Sequence, residues 1–547
     1  MIHSPTAVSR GRAGLAAVSF MLAALVMLAT SLGVAQARSL RSLQVHSAAW
    51  GRAHYTGVRG TLGPSAAEAL RRGYLVPDQR AYARQKSAAA ERALGQRVAA
   101  ASSAAPRTAA PSTLRGFEGL AMQDSAPSDS TSAVGTTRFI ELVNTSAAFF
   151  TKAGSTPTAT ASLNDLVGAS SLDSVFDPQI IWDPTTKRFY YAADWIASGT
   201  DNRIAFGFSK SASPSGAGGF CKYYVGYGTP FPDYPKLGDS RDFLLIGVNT
   251  FSNNGQTGTY LGSDLIALTK PANGAITTCP QASTIGVDAK VNLKMAGGTT
   301  PAFTPVPAQE VDTNGTGWAV ARPISLPGTA LGLFKVTRRA DGSANIRSTA
   351  TNVSVPSFNV PANAPQSGTA NVIDTADARL TQAVAAVDPA HSSKLNIWTQ
   401  HAIAGGAGSM ERWYEINPGA ATITQKGAAT NPSLYVFNGS ISPNRIVKGS
   451  TTAGGGSMVL QFSTSSSATF PAVRMVSKKG ANAQSAFALV RSSATFENDF
   501  SCSPCRWGDY SAATPDPNPS SGSPIWITNQ YAGASGDWAS WNAVVAP

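Results

Sequence analysis

The sequence predicts an all-β protein, a β-propeller of seven blades with six as the fallback closure. Three observations carry this. Charged residues are only 14% of the 547, and Gly, Ser, Thr and Ala are abundant, which suits short strands and turns better than amphipathic helices. A strand–turn–strand motif recurs along most of the chain. It is clearest from Phe231 to Asn249, where a Pro/Gly-kinked strand, a polar turn and an apolar strand follow one another. After nearly every copy a third strand is readable, and strand, turn, strand, strand with a variable fourth is the make-up of a propeller blade.

Taken in order, Arg10 and Arg12 precede an apolar run from Leu15 to Leu32, followed by Val34-Ala35-Gln36-Ala37. This is the pattern of a secretory signal peptide over residues 1–37, with an uncleaved anchor as the alternative. The expected product is secreted, and no later apolar run is long enough to span a bilayer. Residues 38–115 form a basic Ala/Arg-rich segment, with helix formers from Ser65 to Arg97 behind Pro64, then an Ala/Ser/Pro/Thr linker from Ala99 to Ser112. The net charge of +12 lies in this region: residues 1–115 hold fifteen Lys and Arg against three Asp and Glu, and the remainder balances at zero. A nucleic-acid footprint would sit on the folded domain itself, so no nucleic-acid partner is expected. The segment reads as a solvated helix and tether; a pro-segment, or a basic arm resting on an anionic surface, is the sharper alternative.

The propeller domain is expected over 116–547. Ala133 to Asn144 aligns with Lys236 to Asn249, each running through a Gly-ended strand, a polar turn and an apolar strand ending in Asn. Further copies turn at Trp182-Asp183, Asn314-Gly315, Asp388-Pro389, Gly454-Gly455-Gly456 and Asp516-Pro517. Third strands are expected at Arg203–Phe208, Asp264–Leu268, Leu331–Val336, Glu411–Ile416, Val473–Ser477 and Ala539–Val545. The last unit ends after its third strand, so Phe117 to Met122 is expected to supply its fourth and close the ring. An open two-sheet sandwich is the alternative fold.

The four cysteines suit an oxidising compartment, with Cys221–Cys279 and Cys502–Cys505 favoured among three pairings as the most local. Cys502-Ser503-Pro504-Cys505 lacks a surrounding βαβ pattern and a second ligand pair, so it reads as a loop staple and no metal site is expected there.

The motifs Ala133-Val134-Gly135 into Val143-Asn144, Asp177-Pro178, Asp233-Tyr234-Pro235-Lys236-Leu237-Gly238, Asp374 to Leu380 and Arg506-Trp507-Gly508-Asp509-Tyr510 resemble those of secreted bacterial proteins with a sialidase-like β-propeller, mostly uncharacterised. The resemblance covers roughly 116–547. The Ser-x-Asp-x-Gly-x-Thr-Trp boxes of true sialidases are absent; Thr313 to Trp318 comes nearest and lacks both the Ser and the Asp.

Loops beside the innermost strands of a propeller gather at one mouth of its channel, so polar residues there are the candidates. Asp177, Asp233, Asp374 and Asp509 are candidate acids and bases for glycoside hydrolysis, with Tyr510 and Tyr234 as candidate nucleophiles of the sialidase type. Arg241, Arg379 and Arg506, with Asp239 and Asp377, are candidates for holding an acidic sugar, since converging guanidiniums grip a carboxylate in pairs. The structural reading of the same residues is that Asp before Pro or Gly caps turns and Arg ties blade to blade. Asp312-Thr313-Asn314-Gly315-Thr316 offers oxygens to a structural calcium, though Asn-Gly is foremost a turn signal. No cofactor is expected. His391 and His401 lie beside no nucleophile motif. The leading expectation is a monomeric glycan- or surface-polymer-binding module; a glycoside hydrolase and an envelope protein-interaction scaffold are the alternatives.

Overall fold

The computed structural model describes residues 45–47, 74–96, 109–123, 125–254, 258–312, 314–448, 451–453, 455–518 and 523–547. It is a seven-bladed β-propeller. The expected signal peptide, the start of the basic helix and most of the linker lie outside the described residues.

Each of the first six blades is a meander of antiparallel strands laid outward from the hub, over 131–162, 174–228, 231–290, 302–358, 382–429 and 435–492. The seventh uses Ala512–Pro515, Ile525–Ala532 and Trp538–Ala546, and its outermost strand is Ser112–Ala121, which pairs antiparallel with Trp538–Ala546. The closing strand thus begins at Ser112, inside the tether region, and the two-sheet sandwich is excluded. Each innermost strand packs on the next around the circle, and the seventh packs on the first.

Blades lie face to face, so most of their strands are buried on both sides and read as continuous apolar runs. Phe231–Asp239, Phe243–Phe251, Tyr435–Pro443 and Ile525–Ala532 are buried along their whole length. The core is a set of interblade layers: Ile140, Phe149, Trp182 and Tyr191 between the first and second blades, Val384, Trp398, Leu460 and Phe462 between the fifth and sixth, and Phe139, Phe150 and Trp526 where the ring closes. Gly247 is obligatory, since a Cβ there would collide with the Pro305 carbonyl oxygen of the next blade.

One local device recurs at the hub. The inner strands of blades two, three, four and six each break register once, between Phe176 and Gln179, Asp233 and Lys236, Phe303 and Val306, and Phe437 and Ser440. In each bulge a residue with positive φ precedes Pro or Gly: Asp177 (52°), Tyr234 (59°), Thr304 (53°) and Asn438 (51°). Such bulges bend a strand and re-aim its side chains. A neighbouring blade caps three of them: Asn144 Oδ1 accepts from Asp177 N at 2.8 Å, Asn249 Oδ1 from Thr304 N at 2.9 Å, and Glu411 Oε1 from Gly439 N at 2.8 Å. The asparagines ending the aligned motifs, Asn144 and Asn249, are therefore interblade staples.

The pre-domain helix spans Gln79–Gln96 and is capped by Asp78, whose Oδ1 accepts from Ala81 N at 2.8 Å. Its Ala89 and Ala93 pack on Ala362, Ala364, Ile373, Tyr435, Phe437 and Trp507. Val45–Ser47 adds an edge strand to the second blade. Both disulfides form, Cys221–Cys279 and Cys502–Cys505. Among the described residues no helix is long and apolar enough to cross a membrane.

Candidate functional site

At one end of the hub, Asp129, Asp177, Asp233, Arg379, Arg506 and Asp509 line a single cavity. Asp177 and Asp233 come from the bulged inner strands of blades two and three; Asp129 precedes the inner strand of blade one; Arg506 and Asp509 come from the loop before blade seven. Carboxylate oxygens of Asp129, Asp177 and Asp509 lie within 4.8 Å of one another, and so do those of Asp177, Asp194 and Asp233. Asp177 is the shared corner. Burial first, then the carboxylates of Asp129, Asp194, Asp233 and Asp509, push its pKa well above the usual range. Burial likewise pushes Asp509 up to about 6, against the opposing pull of Arg506.

Fixed partners hold the rim. Asp129 Oδ1 accepts from Asp509 N and its Oδ2 from Asn144 Nδ2, both at 2.6 Å, and Arg506 Nη2 donates to Asp509 Oδ1 at 2.6 Å. Beneath them Tyr234 and Tyr510 meet edge to face at 5.5 Å, and Lys236 Nζ sits 3.4 Å from the Tyr510 ring centre and 4.1 Å from that of Tyr234. Burial pushes the Lys236 ammonium well below its usual range. Tyr234 Oη donates to the Asp509 carbonyl at 2.8 Å. Neither Lys236 Nζ nor Tyr510 Oη has a hydrogen-bond partner, and both side chains are buried.

The residues expected from sequence divide in three. Asp177, Asp233, Arg379, Arg506, Asp509, Tyr234 and Tyr510 converge at the mouth. Asp374 and Asp377 lie beside it in supporting pairs. Asp377 bonds Arg379 Nε at 2.9 Å and Arg322 Nη2 at 3.0 Å; burial alone would raise its pKa, but the two guanidiniums outweigh that and hold it well below the usual range. Asp374 meets Lys86 Nζ at 3.1 Å and Tyr82 Oη at 2.9 Å. Asp239 and Arg241 belong elsewhere. Asp239 lies six residues beyond Asp233 on one strand, roughly 20 Å away at about 3.3 Å per residue, where it pairs with Lys270 at 2.8 Å. Arg241 is half exposed in the following turn and pairs with Asp242 at 3.1 Å. The expected third arginine is therefore absent from the mouth, because Arg241 follows the end of the strand opposite Asp233. In the Asp312–Thr316 turn, Asp312 Oδ2 accepts from Val387 N at 2.6 Å and Asn314 Oδ1 from Thr316 N at 2.9 Å, so these oxygens serve the fold. His401 lies within a strand, bonded through Nδ1 to the Ala378 carbonyl, and burial lowers its pKa to about 3.

Sequence reasoning missed Asp129, Asp194, the place of Lys236, and a lid. Tyr74 and Leu75 are buried and line the cavity, and Val76 after them is buried too. The Tyr74 ring lies 4.1 Å from the Arg379 guanidinium and 5.2 Å from that of Arg506, and its hydroxyl donates to Asp377 Oδ1 at 3.2 Å. Arg379 Nη2 donates to the Leu75 carbonyl at 2.8 Å, and Leu75 packs on Ile196, Phe231 and Phe251. With this segment in place the remaining cavity is about 50 Å³, room for a few water molecules and too small for a sugar ring. The one signal available was an apolar Tyr-Leu-Val ahead of Pro77 in an otherwise basic tract.

No protein-family profile matches the chain, and no curated protein matches it. Among solved structures it is similar to the extracellular domains 1–2 of Drosophila Semaphorin 1b, at 9% identity over 80% of this chain and 87% of that one, with a TM-score of 0.34. It is also similar to cobalt-substituted Synechocystis apocarotenoid oxygenase, at 10% identity over 69% and 76%, TM-score 0.37. A third likeness is to BT0996 in an RGII complex, at 9% identity over 58% and 88%, TM-score 0.28. At such identities and scores no activity, ligand or partner carries over to this protein.

Proposed function

We propose that the hub mouth is a binding site for glycans or other hydroxyl-rich surface polymers on a secreted protein, held closed here by the chain's own segment from Tyr74 onward. The observation that carries the reading is the meeting of Asp129, Asp177, Asp233 and Asp509 with Arg506 around one cavity. Carboxylates and guanidiniums at that spacing exchange charge-assisted hydrogen bonds with neighbouring hydroxyls, and concave sites with a few convergent polar groups are the usual form of a ligand pocket. Closure by Tyr74, Leu75 and Lys86 supports a latent site that opens when this segment is displaced.

The test is a glycan array followed by calorimetry on the full chain, with and without Tyr74→Ala combined with Lys86→Ala. The double variant is expected to bind at least tenfold tighter than wild type. If neither protein binds any glycan, the reading fails.

A second reading, glycoside hydrolysis, is favoured by one observation: oxygens of Asp177 and Asp233 stand within 4.8 Å, close to the roughly 5 Å carboxyl separation of retaining enzymes. Sugar release from sialylated and uronic-acid substrates by the opened variant, compared with the same protein carrying Asp233→Asn, tests it. Equal release would remove Asp233 from the mechanism, and no release would end the hydrolase reading.

A further inference from the structure

We infer that the corner formed by Asp129, Asp177 and Asp509 is a binding site for one hard divalent cation of the calcium class. Three independent features meet there. One oxygen from each of the three carboxylates lies within 4.8 Å of the others, a separation that a single ion at 2.3–2.6 Å from each can bridge. The same three residues line a cavity of about 50 Å³, space for an ion and one or two retained waters. The Tyr510 hydroxyl, buried at 1% exposure, has no partner, and the charges acting on it are those of Asp177, then Asp129 and Asp509.

The cations already present act on the corner through their charge, and only Arg506 bonds one of its carboxylates. Arg506 is directed at Asp509. Lys236 lies against the tyrosine rings and makes no hydrogen bond to any of the three carboxylates. Asp177 forms no salt bridge among the described residues, and Lys236, whose largest charge interaction is with Asp177, does not bond it. An all-carboxylate donor set with no thiolate or imidazole suits calcium, with magnesium disfavoured by its strict octahedral demand. The backbone is arranged to keep the set together: Asp129 carries the Asp509 amide on one oxygen, while Asn144 bonds Asp129 with its nitrogen and the Asp177 amide with its oxygen. One asparagine thus orients two of the three proposed ligands.

The test uses full-length protein stripped with chelator and titrated with terbium, whose luminescence Tyr510 and Tyr234 should sensitise. Saturable emission at one ion per chain is expected, displaced by calcium, with at least a tenfold weaker apparent Kd in Asp177→Asn. The separate cluster of Asp388, His391 and Glu415 supplies the control, and Asp388→Asn should leave the signal unchanged. If Asp177→Asn fails to fold by circular dichroism, Asp129→Asn takes its place. Overnight incubation with calcium, desalting and elemental analysis give a second readout that needs no variant. No bound calcium together with no saturable terbium signal would overturn the inference. So would emission that survives Asp177→Asn and disappears in Asp388→Asn.

Discussion

The inner strands of blades two and three each carry two aspartates six residues apart, Asp177 and Asp183 in one, Asp233 and Asp239 in the other. The strands are alike and the two ends are not. At the far end Asp183 and Asp239 share Lys270, at 2.7 and 2.8 Å, with all three side chains about 1% exposed. Asp183 also accepts from the amides of Thr185 and Thr186 and the Thr186 hydroxyl, and Asp239 from the Glu310 amide. At the mouth, Asp177 has other carboxylates for neighbours, a positive φ, and no ion pair among the described residues; the charge of buried Lys236 acts on it without a hydrogen bond. Burial of a carboxylate is thus no mark of function in this fold; whether the neighbouring groups complete its bonding is what separates the structural end from the candidate site.

The largest expected effect lies at the far end. Lys270→Met leaves Asp183 and Asp239 buried together without their cation, and should cost about 3–5 kcal/mol, read as a lower midpoint in chemical denaturation. Little or no loss would mean that the two ends are equivalent and the contrast is void.

The middle effect is a pH profile at the mouth. Asp177 and Asp509 have folded pKa values above their unfolded ones, so the folded state binds more protons. Their contribution is fully present below the unfolded carboxylate range and is lost as pH rises, through about 6 for Asp509. In chelator, wild-type stability should fall across this window, and Asp177→Asn should flatten the fall. A profile that the substitution leaves unchanged would mean Asp177 does not carry the strain. The smallest effect is at Arg241, half exposed beside Asp242: Arg241→Ala should change stability by less than about 0.5 kcal/mol and leave ligand or cation binding at the mouth untouched. A loss of binding would return Arg241 to the site.

The ring was legible because its signal repeats. Third strands expected at Arg203–Phe208 and Asp264–Leu268 fall within Asp201–Ser209 and Tyr260–Thr269, since strand periodicity and turn residues act locally. The mouth was only half legible. Asp177-Pro178 and Tyr234-Pro235 mark bulges by a residue type at a fixed place, and Asp177 and Asp233 were found. Arg241 was misplaced because a motif does not tell which end of its strand faces the mouth. Asp129 lies in a Ser-rich stretch without a motif, and the lid depends on Tyr74 meeting Asp377, 303 residues away, which no local pattern encodes.

The seventh blade has a consequence for how the chain assembles. Ser112–Ala121 is among the earliest parts of the ring to be synthesised, yet it has no partner until Trp538–Ala546 emerges. The Trp538 indole reaches the Ser125 carbonyl at 2.7 Å across 413 residues of sequence. Contacts so remote delay folding, so the circle can be clasped only once Trp538–Ala546 has been synthesised. Until then Phe117 has only Phe139 and Phe150 of the first blade against it, and the aromatic layer that closes the ring stays half built.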